Sequence, residues 1–326
     1  MGTLGVAARG ALDAVLSALA RRRQLERRLG EVLVAHGYEE VAVPLLQPAD
    51  AASGWAGGYR VLDRDGALLE LRPDLTGPVA RLCAVGDRGG PRPRRLYYQA
   101  SIFRHTPGEG VREIAQAGAE RVGGPGDAAG RIEADAEVLG LLAHCLRAAG
   151  ARQFLLAVGH SAYLDERVRA GGGDVVATRA ALRARDFAGL VHVAAAAAPE
   201  LSWRGQIGEA LGGGLAGEGP AAREWRALLS RLAEAGLAEH VLVEPGLLPP
   251  GAYYTGVVFE ALVPGPPVPV GDGGRYDGLL AQWGPPEPAI GFALDADRLL
   301  RALDGGTPGE DARRAWAAVQ GGAGRP

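Results

Sequence analysis

The chain has 326 residues, of which 47% are hydrophobic and 22% charged, an ordinary globular composition that can bury a large core. A formal net charge of −3 at pH 7 provides no general basic field for nucleic acid. The two cysteines have no CxxC spacing and the six histidines form no HExxH pair, so we expect neither a disulfide framework nor a metal site. Without a signal pattern or a long apolar run, we expect a soluble, cytoplasmic protein that has no membrane partner.

A long helix is predicted near the start of the chain. Apolar residues recur at helical spacing from Leu12 to His36, and Gly37 then ends the helix. The next run, Glu40–Leu46, is predicted to be extended, and Leu68–Leu71 is predicted to be a short strand.

The RPDLT run after this strand carries a carboxylate and a hydroxyl, Asp74 and Thr76, two residues apart. A helix is predicted to follow at Val79–Val85. Polar side chains at a strand-to-helix boundary can face a cleft, but they are also the usual residues of a helix N-cap. The residues alone leave both interpretations open.

A long-looped antiparallel hairpin is predicted over Tyr97–Gly124, with a polar loop at His105–Val111. Alternation along the second strand places Gln116, Gly118 and Glu120 on one face, with about 13 Å between the outer two and open space over the glycine. This face is either the floor of a small pocket for a polar ligand or a solvated strand face. Alternation does not decide between them.

The second half of the chain mixes helices, strands and turns. We predict a helical insertion at about residues 160–240 within a core of residues 1–303, followed by a flexible tail at 304–326. The remaining predicted elements are a helix at Arg131–Gly150, strands at Gln153–Val158, Tyr253–Val263 and Ala289–Leu294, a tight turn at Gly271–Gly278, and helices at Leu279–Trp283 and Ala296–Leu303.

The order of these elements resembles the catalytic core of class II aminoacyl-tRNA synthetases, in the histidine branch. The first helix and its exit strand are similar to motif 1, the dimerisation element; IFRHTPGEGVREIAQAGAERVGG is similar to motif 2 and GFALDADRLL to motif 3. The runs LRPDLT, YYTGVVFE and GGRYDGL are similar to histidine-specific signatures. The resemblance implies an α/β fold of the α+β type: an antiparallel sheet of about six strands, flanked by helices, with a small helical insertion.

The resemblance also implies which residues hold a histidine ligand. Asp74, Thr76 and Gln116 match the positions that take the α-amino group, and Glu120, Tyr254 and Tyr276 those that take the imidazole. The full set of implied ligand-binding residues is Asp74, Thr76, Arg104, Gln116, Glu120, Tyr253, Tyr254 and Tyr276. Judged from the residues alone, Arg104 at the end of its strand either holds an anion or lies on plain surface.

The synthetase pattern is broken on the nucleotide side. The arginine of the RGLDYYTG run is replaced by Pro249, which has no cation to stabilise an acyl phosphate. A motif 2 arginine is replaced by Gly110, and a motif 3 glycine by Asp295, whose charge repels phosphate. The motif arginines Arg104 and Arg298 are retained. No anticodon-binding segment is recognised after motif 3, so we expect no tRNA partner.

A histidine pocket without adenylation chemistry is the pattern of ATP phosphoribosyltransferase regulatory subunits, which are synthetase paralogues. That family implies a non-catalytic role, no cofactor, a short catalytic chain as partner, L-histidine as effector, and a homodimer within a larger hetero-oligomer. The alternative is a truncated synthetase-like enzyme that adenylates histidine. A purely structural synthetase-like dimer is a third hypothesis, which gives the grouped polar residues no role.

Overall fold

A mixed sheet forms the centre of the protein. The computed structural model describes residues 3–49, 58–86, 90–106, 110–249, 251 and 253–304, so the predicted tail lies outside the described residues after residue 304. Within these ranges the strands are β1 (Glu39–Glu40), β2 (Leu46–Pro48), β3 (Arg60–Leu62), β4 (Leu68–Leu71), β5 (Arg94–Thr106), β6 (Gly110–Val122), β7 (Leu155–His160), β8 (Gly205–Gln206), β9 (Val241–Val243), β10 (Val257–Leu262), β11 (Gly271–Arg275) and β12 (Ala289–Asp295). Nine of these described strands form the main sheet in the order β1-β5-β6-β12-β11-β10-β7-β9-β8, and β2-β4-β3 form a small second sheet.

Six neighbouring strands, from β5 through β6, β12, β11 and β10 to β7, are antiparallel throughout. Short strands extend this block at both ends: β1 pairs in parallel with β5, and β9 pairs in parallel with β7. The predicted fold class is therefore confirmed. The short strands β2, β3 and β9 were not predicted, and β8 lies within the predicted helical insertion.

Several predicted boundaries are wrong. The glycine-rich run from Gly271, predicted as a turn, is the inner strand β11 as far as Arg275. The strand predicted from Tyr253 begins only at Val257, and the helix predicted at Leu279–Trp283 is one 3₁₀ turn, Leu280–Gln282. The hairpin strands extend further into the predicted loop, to Thr106 and from Gly110, and residues 107–109 lie outside the described part.

Helices cover both faces of the sheet. The described helices are α1 (Thr3–Ala35), α2 (Thr76–Val85), α3 (Ala128–Ala149), α4 (Ser161–Ala170), α5 (Val175–Ala184), α6 (Phe187–Val193), α7 (Ala198–Leu201), α8 (Ile207–Glu209), α9 (Pro220–Glu234) and α10 (Ala296–Leu303), with a π-helical turn at Ala210–Gly214 and 3₁₀ turns at Ala195–Ala197 and Ala238–His240. On one face, α1, α3 and α9 bury Leu29, Leu142 and Trp225 completely in the largest core. On the opposite face, α2 packs Val79 and Cys83 in a second core.

Local chemistry sets the ends of α3. The Asp127 carboxylate caps the helix by accepting a 2.9 Å hydrogen bond from the Gly130 N–H. Gly150 ends it with a φ of 102°, a left-handed conformation that glycine adopts without a steric penalty. Two ion pairs hold α3 against one face of the sheet: Glu137 pairs with Arg121, and Asp135 pairs with Arg275.

The segment between β7 and β9 is mainly helical and contains α4 to α9. Its division from the core as a separate insertion remains a prediction. None of the helices in the described part of the chain combines the length and apolar character needed to span a membrane.

Candidate functional site

A narrow cavity lies on the α2 face of the sheet, above β6, β11 and β12. It has a volume of about 20 Å³, enough for roughly one water molecule. All the predicted ligand-binding residues except Glu120 line it. The lining residues are Asp74, Leu75, Thr76, Tyr98, Arg104, Gln116, Tyr253, Tyr254, Asp272, Gly273, Gly274, Tyr276, Gly291, Phe292 and Ala293.

Glu120 lies directly behind this lining and is completely buried. Its Oε1 accepts hydrogen bonds from the Thr76 hydroxyl at 2.8 Å and the Tyr98 phenol at 3.3 Å, and its Oε2 accepts one from the Tyr276 phenol at 2.5 Å. Burial raises the pKa of Glu120 to about 7, although the three hydroxyls oppose the shift. A carboxylate that three neutral donors hold in place therefore lies directly behind the cavity lining.

Tyr98 was not predicted as a site residue. It lies opposite Gly118 in the hairpin register, and a Cβ at Gly118 would lie 2.5 Å from the Tyr98 hydroxyl oxygen. The expectation of open space over Gly118 is therefore wrong, because the phenol of Tyr98 fills that space. The register of the predicted hairpin is the signal that identifies Tyr98, since cross-strand partners are neighbours on one face.

Asp74 combines the two roles that the sequence left open. Its Oδ1 accepts a 2.8 Å hydrogen bond from the Gly77 N–H, a capping bond at the start of α2. Its Oδ2 is buried, lacks a hydrogen-bond partner in the described part of the chain and belongs to a side chain that lines the cavity. Burial raises the pKa of Asp74 to about 6, against the attraction of Arg104. The second oxygen is therefore available to a ligand donor.

A tyrosine pair closes the side of the cavity nearest β11. The Tyr253 and Tyr254 rings are 4.8 Å apart between centroids, and the Tyr254 hydroxyl is 3.4 Å from Oδ2 of Asp272. Burial raises the pKa of Asp272, and the charges of Arg104 and Arg298 oppose this rise. Asp272 is a further lining residue missed from the sequence, because its glycine-rich run was predicted to be a turn.

Arg104 lies where this cavity meets a larger one. Its Nε donates a 2.7 Å hydrogen bond to the Pro73 carbonyl oxygen, which fixes the guanidinium beside Asp74. The adjoining cavity, of about 380 Å³, is lined by side chains of both charges. They include Arg104, Gln116, Arg183, Arg185, Glu260, Asp272, Asp295 and Arg298.

Arg298, the motif 3 arginine, is held by contacts with other groups of the protein. Arg298 Nη1 donates a 2.5 Å hydrogen bond to the Pro269 carbonyl oxygen, and its Nε is 3.5 Å from Oδ2 of Asp295. The other oxygen of Asp295 caps α10 by accepting from the Arg298 N–H at 2.8 Å. Asp295 thus orients the guanidinium and starts the helix. Pro249, another altered position, is buried.

Comparison with known proteins identifies the family. The family model of histidyl-tRNA synthetase matches residues 10–299. An ATP phosphoribosyltransferase regulatory subunit of Symbiobacterium thermophilum is 37% identical over 320 residues, covering 90% of this chain and 79% of that protein. This chain belongs to the histidyl-tRNA synthetase family, in its branch of ATP phosphoribosyltransferase regulatory subunits.

Solved structures of the family agree with this assignment. A protein of Bacillus halodurans described as an ATP phosphoribosyltransferase regulatory subunit/histidyl-tRNA synthetase matches with a TM-score of 0.78 and 30% identity, covering 87% of this chain and 79% of that one. A histidine–tRNA ligase subunit of Alicyclobacillus acidocaldarius matches with a TM-score of 0.73 and 29% identity, covering 88% and 93%. Members of the family therefore share this sheet and its helices.

Proposed function

We propose that the protein is a non-catalytic regulatory subunit of ATP phosphoribosyltransferase, which activates a short catalytic chain and carries histidine feedback in the first step of histidine biosynthesis. The observation that carries this proposal is a contrast between the two halves of the synthetase pattern. Asp74, Gln116 and the tyrosines meet around a buried glutamate, whereas Pro249 replaces the arginine that adenylation needs. Relatives that share the fold and carry this regulatory name support it.

Each group of L-histidine has a complementary partner in the cavity. The ammonium group would donate to Asp74 Oδ2, Thr76 and Gln116, and Arg104 would take the carboxylate. The ring would lie towards Glu120. The present volume of about 20 Å³ is too small for it, since a cavity that holds benzene measures roughly 150 Å³. Histidine would therefore move Tyr253, Tyr254 or Tyr276 on entry.

Feedback then follows from a difference in affinity. Histidine inhibits the complex only when it binds the less active state more tightly than the active one. By the same linkage, the catalytic chain changes the histidine affinity of this subunit by an equal factor. The hetero-oligomer is thus the assembly in which the effector acts.

The homodimer would form through the motif 1 region. Helix α1 carries Leu16 and Leu19, which are 53% and 46% exposed, and the β2-β4-β3 sheet carries Leu62 and Leu68 at 70% and 44%. Exposed apolar side chains on these two elements are suited to burial against another chain. A monomer at micromolar concentration in sedimentation experiments would contradict this dimer.

The proposal is tested by assaying a short-form ATP phosphoribosyltransferase chain with and without this protein. We expect co-purification, activation by the subunit, and inhibition when L-histidine is added. Replacing Glu120 with alanine removes a charged acceptor, and such hydrogen bonds contribute roughly 1.5–3 kcal/mol, so histidine affinity should fall about tenfold to a hundredfold. Equal affinities of wild type and Glu120→Ala would contradict the assignment of the pocket.

A further inference from the structure

The histidine pocket has an excess of acid. Three carboxylates, Asp74, Glu120 and Asp272, lie in or directly behind its lining, and the guanidinium of Arg104 also lines it. Arg104 lowers the pKa of both Asp74 and Asp272. The charge of one guanidinium is shared between these two, so the pocket attracts a cation.

The surroundings of Glu120 contain no compensating charge among its hydrogen-bond partners in the described structure. Helix α2 contributes the Thr76 hydroxyl, β5 contributes Tyr98, and the residue after β11 contributes Tyr276. On β12, the facing residue is Gly291, which has no side chain.

Further titratable groups near Glu120 in the described structure are also acids. The Asp74 carboxylate repels it and raises its pKa. Burial raises the pKa of the Tyr253 and Tyr254 phenols and of the Cys83 thiol, and the charge of Glu120 adds a smaller contribution. All three are neutral at pH 7. None of these groups in the described part of the chain gives the ionised form of Glu120 a counter-charge, and a ligand can supply one.

One acceptor position on Glu120 remains for such a ligand. A carboxylate has about four lone-pair positions, and the three hydroxyls use two on Oε1 and one on Oε2. The remaining position on Oε2 suits one ring N–H. A neutral imidazole presents one N–H and one lone pair, whereas an imidazolium presents two N–H donors. Asp272 and the Tyr254 hydroxyl oxygen are further acceptors on the lining.

This inference rests on the proposed function. We propose that the pocket binds histidine with its imidazole ring protonated, and that ionised Glu120 selects this form, so that binding takes up a proton from mildly alkaline solution. Free imidazole has a pKa of about 6.5 and is mostly neutral at pH 8. The bound ring gains a buried carboxylate as its partner, which favours its charged form.

Calorimetry at pH 8 in two buffers of different ionisation enthalpy counts the protons taken up. We expect close to one proton for each histidine bound. By linkage, histidine affinity should fall about fivefold to tenfold between pH 7.5 and 8.5. The probe for comparison is 1,2,4-triazolylalanine, which has the same backbone groups and a ring of similar shape that stays neutral. It should bind more weakly and with little proton uptake.

Glu120→Gln keeps the shape of the side chain and removes its charge. Histidine binding to this variant should be at least tenfold weaker at pH 8 and should lose most of its proton uptake. The matched control is Glu239→Gln, at an exposed carboxylate between α9 and β9, which should behave as wild type.

Two results would overturn the inference. Histidine that binds wild type with no more proton uptake than the triazole analogue would reject the protonated ring and leave the proposed function intact. No histidine binding at any pH, with or without the catalytic chain, would reject both. The comparison of the two ligands uses only the wild-type protein, so its outcome does not depend on whether a variant folds.

Discussion

The Tyr276 phenol donates a 2.5 Å hydrogen bond to Oε2 of Glu120 across 156 positions of sequence. This bond joins the residue after β11 to Glu120 near the end of β6, with β12 between the two strands. Because Glu120 is fully buried, the phenol is one of three donors that stabilise its charge. The closed pocket and the stability of the sheet therefore depend on the same contact.

Replacing Tyr276 with phenylalanine should destabilise the protein. Hydrogen bonds to a charged group contribute roughly 1.5–3 kcal/mol, and the loss should be near this range at pH 8, where Glu120 is ionised. Denaturant unfolding of wild type and Tyr276→Phe measures it. The control is Tyr97→Phe. In the wild type, the Tyr97 hydroxyl lies 3.4 Å from a Glu40 oxygen in a partly buried contact, so its loss should cost less. Equal losses in the two variants would contradict this role of Tyr276.

The raised pKa of Glu120, about 7, predicts how stability changes with pH. An unfolded glutamate has a pKa near 4.3, so the folded protein holds this proton more tightly. The contribution of protonated Glu120 to the free energy of unfolding is fully present below the pKa that this glutamate has in the unfolded state. It is lost as the pH rises through about 7, the pKa in the folded state. Wild type should therefore lose stability relative to Glu120→Gln between pH 5 and pH 8, by a few kcal/mol. Parallel stability curves for the two proteins would contradict the shift.

The buried ion pair between Asp135 and Arg275 should be essential for folding. Each side chain is only 2% exposed, and the pair joins α3 to β11. Removing Asp135 leaves the buried guanidinium with a single carboxylate partner in the described part of the chain, Asp277 at 2.9 Å. Asp135→Asn should therefore lose about 3 kcal/mol in denaturant unfolding, the lower end of the range for breaking a buried pair. The matched control is Glu133→Gln, two residues earlier on α3, whose partner Arg231 lies at the surface. The control should show no measurable loss.

Restoring an arginine at position 249 should not create an adenylating enzyme. Pro249→Arg supplies the missing cation, but Arg298 remains bound to the Pro269 carbonyl and to Asp295. ATP–pyrophosphate exchange with histidine should be absent in wild type and in the variant, with a histidyl-tRNA synthetase as the positive control. Exchange by the wild-type protein would instead support the alternative of a histidine-adenylating enzyme.

Strand periodicity predicted part of the site correctly. Gln116 and Glu120 share a face, as alternation along one strand requires, and Leu68–Leu71 and Ala296–Leu303 have the predicted bounds. The capping position of Asp74 was also predictable, because a carboxylate before a helix commonly accepts from its first N–H groups. These features depend on local sequence.

The glycine-rich strand could not be predicted from local sequence. A Cβ at Gly273 would lie 2.3 Å from the Gly291 carbonyl oxygen, and one at Gly274 would lie 2.7 Å from the Val257 carbonyl oxygen. These glycines are thus explained by close approach of neighbouring strands, which is a tertiary requirement, whereas glycine in sequence usually indicates a turn. Asp272 lies on this strand and was missed for the same reason.

The small volume of the cavity has a consequence for sensing. When only a fraction of the molecules is open at any moment, the apparent dissociation constant is the intrinsic one divided by that fraction. For a subunit that carries histidine feedback, the concentration at which the pathway responds would then depend on how firmly Tyr276, Tyr98 and Thr76 hold Glu120. Tyr98, which has no assigned contact with histidine, can therefore shift the set point of inhibition while the bound contacts stay the same.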